Sequence, residues 1–408
     1  MKKILTLTLT ALSMTLLYSC DESISTDSDE SITNSGSSSN SGESDNDYIS
    51  GENIYLSDLS AYNIPDDDKW IILDTTAETT DFDGFSAAIV ALADSGRQIS
   101  VEFPALESFP SYAIFGEETS YSEYDTSALI SISADVATTV ENSAFRICLS
   151  LASINLPMAT TIGESAFLYS AITTLDLPSA TAIGDSAFSC CLNLAEVNIP
   201  LVESIGKRAF ALCDKITKID MPSVTSIREW AFMGCYDLDS VSAPLVTNIE
   251  ASAFYCCYNL NNIDISATQT LGDGVFSFCY SLTEIDLPVA TTIGKRALYG
   301  CEALSSLELP VATSIGSSAL YDCYSLTSLE APAVVEIGEW ALRNCNSLRR
   351  LTLATDGSEL WLIDAAALYG TTTEDINLTV GSANSSYVDG TILTVGNFSE
   401  NFASITLL

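Results

Sequence analysis

One phrase of about 22 residues, repeated down most of the chain, constrains this sequence more than any other feature. Its clearest copy, LTEIDLPVATTIGKRALYGC, runs from Leu282 to Cys301. Ile293 of that copy belongs to a series: Val140, Ile162, Ile183, Ile205, Ile227, Ile249, Leu271, Ile293, Ile315 and Ile337, with one interval of 21 residues, then Ile363 after a step of 26. A copy this short cannot bury its own apolar face. Copies must stack on one another, and the expected product is a solenoid rather than a domain with one central core.

Each copy can be read column by column. Leu282, Ile285 and Leu287 form an LxxLxL strand with apolar side chains inward and polar ones outward, so stacked copies should build the parallel, concave sheet of an α/β solenoid. Proline follows at Pro157, Pro178, Pro200, Pro222, Pro244, Pro288, Pro310 and Pro332, and ends the strand because it has no N–H for the ladder. Gly163, Gly184, Gly206, Gly272, Gly294, Gly316 and Gly338 fit a tight turn at positive φ, although Arg228 and Glu250 stand in the same column. Ala166-Phe167, Ala187-Phe188, Ala209-Phe210, Ala231-Phe232 and Ala253-Phe254 supply one small and one large apolar residue per turn, as a short helical segment over the sheet would need.

The phrase resembles the BspA-type leucine-rich repeat, roughly LxxIxLPxxxTxIGxxAFxxCxxL, of surface proteins from anaerobic bacteria and some protists. The resemblance covers about Ile132 to Tyr369. It departs from the pattern at an ATDGSELWL insertion before Ile363 and at Ser170, which replaces a cysteine. It implies a leucine-rich-repeat solenoid and a role in adhesion or in binding host matrix proteins. Upstream, Trp70 to Asp74 and Ile99 to Phe103 read as strands and Gly84 to Ala93 as a helix, a mixed cap over residues 51–130. Repeats are expected over 131–370. A small β cap over 371–408 would hold strands beginning near Ile376, Thr391 and Ser404.

The N-terminus places the chain outside the cytoplasm. Lys2 and Lys3, an apolar run from Ile4 to Leu17, and Ser19 before Cys20 have the layout of a signal peptide over residues 1–19. Ser19-Cys20 resembles the lipobox of bacterial lipoproteins, in which the cysteine is acylated. From Cys20 to residue 50 the composition is acidic and Ser-rich, and it reads as a flexible tether. Thirteen acidic residues and no basic one lie between Asp21 and Asp68, and the formal net charge is -39, so nucleic acid and anionic lipid headgroups should be repelled. Membrane attachment is expected through the lipid alone. The acids directly behind Cys20 resemble the signal that directs some lipoproteins to the outer face of the outer membrane.

The absence of histidine removes Ser/His/Asp and Cys/His catalysis, and there is no phosphate-binding GxxxxGKS or GxGxxG motif. Acids suited to paired-carboxylate chemistry are arrayed in columns, so no enzymatic activity is expected. Nine of the twelve cysteines fall on one repeat column, from Cys148 to Cys345, with Cys190 and Cys256 one residue earlier. That spacing points to buried thiols rather than a disulfide framework, and no metal site is expected.

Two outward columns are candidate ligand surfaces. One runs Asn155, Asp176, Asn198, Asp220, Ser242, Asp264, Asp286, Glu308, Glu330, Thr352 and is dominated by carboxylates. It would suit a basic protein segment, a glycan or a calcium-bridged partner, and weak Ca2+ at this stripe is the only cofactor expected. The other holds Tyr236, Tyr258, Tyr280 and Tyr324, with stacking among themselves as the alternative role. Arg349 and Arg350 change the charge of the same face near its end. The expected function is non-catalytic binding of an extracellular protein or glycan at the cell surface. The alternative is a structural envelope lipoprotein that associates with itself or with other envelope proteins.

Overall fold

Parallel pairing of equivalent strands puts each residue beside its counterpart in the next copy, as in Ile205 opposite Ile227 and Val241 opposite Ile263. The computed structural model describes residues 70–72, 82–94, 96, 98–114, 126–357, 360, 362–395 and 397–408. These residues fall in one unit, residues 52–61 and 66–408. The expected signal peptide, lipidated Cys20 and tether lie outside the described residues.

The result is a parallel β-solenoid with two strand ladders. Two-residue strands ending on the Ile column, from Ser108–Phe109 to Leu362–Ile363, form one continuous 12-stranded sheet. It absorbs the short copy by pairing Ile162 with Ile183 and the long one by pairing Ile337 with Ile363. The LxxLxL strands form the second ladder, in separate sheets of four, five and five strands. One gap falls between Ser153–Asn155 and Thr174–Asp176, across the 21-residue copy. The other falls at residues 282–287, so the copy with the clearest sequence pattern lacks its strand.

No helix covers the Ala-Phe columns. The segment instead turns twice per copy, with positive φ at residues such as Ser186 and Cys190 or Arg208 and Leu212. Alternate amides there reach the next coil: Ser186, Phe188 and Cys190 N–H donate to the carbonyls of Lys207, Ala209 and Ala211 at 2.7, 2.8 and 2.8 Å. An α-helix would keep those bonds within one coil, so inter-coil bonding excludes it. The glycine column also has a different cause from the one its sequence suggests, since positive φ falls two residues later. A Cβ on Gly206 would lie 2.5 Å from the carbonyl carbon of Gly184, and one on Gly294 2.6 Å from that of Gly272. Close approach of successive coils, not dihedral freedom, excludes a side chain there.

The core is a set of one-residue columns. Phe145, Phe167, Phe188, Phe210, Phe232, Phe254 and Phe276 stack nearly parallel at 5.2–5.5 Å between centroids. Beyond Phe276 the column continues as Leu298, Leu320, Leu342 and Leu368. Its N-terminal end is closed by Phe109, which meets Phe145 edge-on at 4.9 Å, and by Phe82 and Phe85 of the helix Phe82–Asp94. That helix buries Phe82, Phe85, Ala88, Ile89 and Leu92, the apolar stripe of an amphipathic helix. At the other end, Asn377–Val380 and Ser404–Leu407 extend the parallel ladder by two coils. Only the strands Val388–Asp389, Ile392–Val395 and Phe398–Asn401 between them are antiparallel.

Candidate binding surfaces

The alternation of a strand sends every second side chain outward, as in Thr174–Asp176, where Leu175 is buried and both neighbours are exposed. Asp176, Asp220, Asp264, Asp286, Glu308 and Glu330 are all exposed. Their surroundings divide the column in two. In the first half neutral groups separate the acids: Asn198 lies opposite both Asp176 and Asp220, and its Nδ2 donates to Asp176 Oδ1 at 2.7 Å. Ser242 likewise separates Asp220 from Asp264. From Asp264 through Asp286 and Glu308 to Glu330 the column holds four acids in succession, and exposed Glu284 adds a fifth from the neighbouring column. The ladder gap lies in the middle of this run, whereas Glu308 and Glu330 at its end pair in register. Among the described residues no three acids or thiols converge as a metal-ligand set. Arg349 is drawn away from this face, donating to the Leu348 carbonyl at 2.8 Å and lying 3.9 Å from Asp375, whereas Arg350 is exposed.

The tyrosine column is only partly continuous. Tyr236, Tyr258 and Tyr280 stack at 5.0 and 5.2 Å, covering each other's faces, and the Tyr258 hydroxyl bonds the buried Cys256. Tyr324 is separated from them by Glu302, so the structure does not bring all four together. Burial and the neighbouring Asp322 push its hydroxyl pKa up to about 12. One coil before Tyr236 the column holds Asp214, whose Oδ1 is buried without a hydrogen-bond partner. Burial, aided by Asp237 and opposed by Lys215, raises its pKa to about 6. A carboxyl with a raised folded-state pKa favours folding in its protonated form, so its contribution is lost as pH rises through 6. Asp214→Asn should therefore raise stability above pH 6 by about 1 kcal/mol, discounted because the side chain is only half-buried, and change nothing near pH 4. Thermal melts of both proteins across that range check it.

Among the described residues eleven cysteines are buried, and none is in a disulfide. In the repeat column, thiols donate across coils to carbonyls of the Phe column, as from Cys213 to Phe188 and from Cys235 to Phe210, both at 3.1 Å. Ser170 and Thr371 hold the same column and also donate to carbonyls, Ser170 to Phe167 at 2.7 Å and Thr371 to Leu342 at 2.6 Å. The column thus selects a small donor rather than sulfur as such. Burial raises these thiols' pKa values, that of Cys190 to about 11, which keeps them protonated and unreactive at neutral pH. Cys235→Ser should cost less stability than Cys235→Ala, which loses the bond and leaves a void of about 1–2 kcal/mol. Urea unfolding of the two variants gives the order directly.

The sequence profile of the BspA type leucine rich repeat region matches as six copies, over residues 118–239, 203–311 and 269–394. The chain belongs to the BspA-type leucine-rich-repeat family. Proteins of this type are typically surface-associated in bacteria and generally protein-binding or adhesion-like, and the solenoid is typically non-enzymatic. No curated protein matches. Among solved structures, the chain is similar to a leucine-rich repeat protein from Bacteroides ovatus, with 21% identity, 76% of this chain and 84% of that one covered, and a TM-score of 0.40. It is also similar to a leucine rich cell surface protein from Faecalibacterium prausnitzii, with 22% identity, 64% and 83% covered, and a TM-score of 0.31. Among the described residues no helix is long and apolar enough to cross a membrane.

On the turn side this BspA-type chain carries a feature that column reading of the strand face misses. The position after each Phe or Leu of the stack reads Tyr255, Ser277, Tyr299, Tyr321, Arg343, Tyr369 over the last coils. Tyr299 and Tyr321 lie 4.9 Å apart, and the Arg343 guanidinium sits 5.0 Å from the Tyr321 ring and 4.9 Å from that of Tyr369. Trp340, three residues before Arg343, comes within 5.4 Å of the same guanidinium. A smaller version occurs at Trp230, with Arg208 at 3.9 Å and Lys207 at 4.7 Å. The signal was available in the repeat alignment, in the column after the Phe stack.

Proposed function

We propose that this BspA-type protein is a non-catalytic, lipid-anchored binding protein of the outer membrane that displays its LxxLxL strand face to a basic segment of an extracellular protein. The observation that carries the reading is the run Asp264, Asp286, Glu308, Glu330, four exposed acids in successive coils without a neutral spacer. Such a column raises local negative potential along a line, which attracts an extended cationic chain. A calcium ion bridging the stripe would need ligands from the partner to complete its shell. The tether from Cys20 would hold the solenoid clear of the membrane, and the Cys-proximal acids support outward display.

The test is binding of the soluble chain from residue 21 onward to immobilised extracellular-matrix proteins, mucins and glycans, with calcium and with chelator. Saturable binding that falls at least tenfold in Asp264→Asn/Asp286→Asn/Glu308→Gln supports the reading. Binding unchanged in that variant removes the strand face as the site. For the anchor, Cys20→Ala should move the protein from the detergent phase to the aqueous phase on phase separation, and retention in detergent would argue against acylation.

One observation favours a second reading, an envelope protein that packs on itself. Met158, Leu201, Leu245, Val289 and Val311 recur just after the prolines, each 42–54% exposed. The column is interrupted by Ser179 and Ser223, but exposed apolar side chains that recur on one face suit contact with another surface. Concentration-dependent assembly that Leu201→Ser/Leu245→Ser abolishes would favour it.

A further inference from the structure

We propose that Arg343, with Tyr321, Trp340 and Tyr369, forms a second ligand site, for a carboxylated pyranoside, on the turn side of the solenoid and separate from the acidic strand face. Arg343 shares its column with Tyr321 in the coil before and Tyr369 in the coil after, so rings flank the guanidinium on either side. The rings surround the cation without pairing its N–H groups, and its Nε is buried with no hydrogen-bond partner. Among the described residues no acid pairs with it, although acids outnumber bases 54 to 15 in the chain. Asp322, the acid in the neighbouring column, is already engaged by Asn344 Nδ2 at 2.8 Å and by the Tyr324 hydroxyl. A planar guanidinium left without an acceptor matches a carboxylate through two parallel N–H donors.

The rings supply the rest of the recognition. Trp340 is 39% and Tyr369 62% exposed, large apolar surfaces beside the unpaired guanidinium. Aromatic faces of this kind accept the C–H face of a pyranose, and the guanidinium then takes its carboxylate.

Because the fold repeats, variants can be drawn from residues that the same columns already carry. Gly274 occupies the Trp340 position and Ser277 the Arg343 position in the coil at residues 272–279. Calorimetric titration of the detergent-solubilised full-length protein would use tetragalacturonate and, as its uncharged counterpart, the fully methyl-esterified tetramer. Tetragalacturonate should bind saturably and at least tenfold more tightly than the ester, since a charge-assisted fork contributes that much. Arg343→Ser and Trp340→Gly should each weaken it about tenfold with the circular dichroism spectrum unchanged, while Asp264→Asn/Asp286→Asn/Glu308→Gln should leave it within about twofold. Equal affinity for acid and ester, undiminished binding by Arg343→Ser, or no saturable heat at millimolar sugar would overturn the site. Loss only in the stripe variant would assign the sugar to the strand face instead.

Discussion

Phe232→Ala is expected to lower the stability of the solenoid by about 3–5 kcal/mol, read as a drop in the urea midpoint. The ring has no solvent exposure and lies between Phe210 at 5.4 Å and Phe254 at 5.2 Å, within 4° of parallel to both. Removing it leaves a void bounded by two ring faces, which cannot close without shifting coils that backbone ladders hold in place on either side. Since coils contact only their neighbours, the void also weakens coupling between the N-terminal and C-terminal parts of the stack. A second, separable transition should accompany the loss. Phe276→Leu is the comparison: the next coil already holds Leu298 in this column, and a cost of about 1 kcal/mol is expected. Equal costs for the two variants would show that continuity of the stack contributes little.

Neutralising the acidic run with Asp264→Asn/Asp286→Asn/Glu308→Gln should raise stability, in the opposite direction from its expected effect on binding. Facing like charges cost a few tenths to about 1 kcal/mol per pair, so a gain of about 1–2 kcal/mol is expected at low salt. At 0.1 M salt, where the screening length is about 10 Å, the gain should shrink but persist, because adjacent coils are closer than that. The gap in the ladder localises the effect. Elsewhere the amide ending each strand bonds the next coil, as Ala243 N–H does to Asp264 at 2.8 Å and Leu309 N–H to Glu330 at 2.8 Å. Amide exchange at Ile265 and Leu287, which flank the gap, should slow in the variant. Unchanged exchange there would mean that the gap has a cause other than charge.

The stack, its parallel register, the strand-ending prolines and the outward acids were all legible, because a fixed period turns each sequence column into a spatial one. What misled was local. Glycine at Gly206 satisfies either a positive φ or a close backbone approach, and sequence alone does not separate the two causes. The Ala-Phe pair looks helical because a small and a large apolar residue suit a helix face equally well, while the inter-coil bonds that replace the helix are nonlocal. The strand missing at 282–287 shows the limit of pattern itself: Leu282, Ile285 and Leu287 are ideal for a strand, and Glu284 and Asp286 between them carry the opposing charge. The Arg343 cluster lies in a column where tyrosine recurs, at Tyr299, Tyr321 and Tyr369, but Arg343 and Trp340 break the pattern of their own columns, so the sequence marks the column and not the cation among its rings.

A register in which each coil meets copies of its own residues also bears on how such a chain changes through descent. Excision of residues 249–270 would join Asn248 to Leu271 and seat Leu271 against Ile227, where Ile249 now lies. Every interior column would close again, and only the number of coils would differ. Recombination between copies can therefore lengthen or shorten the protein without passing through an unfolded ancestor, whereas a copy of 21 residues keeps the Ile ladder and interrupts the LxxLxL one. The length of the solenoid is free to vary between generations while the chemistry of each face is inherited intact.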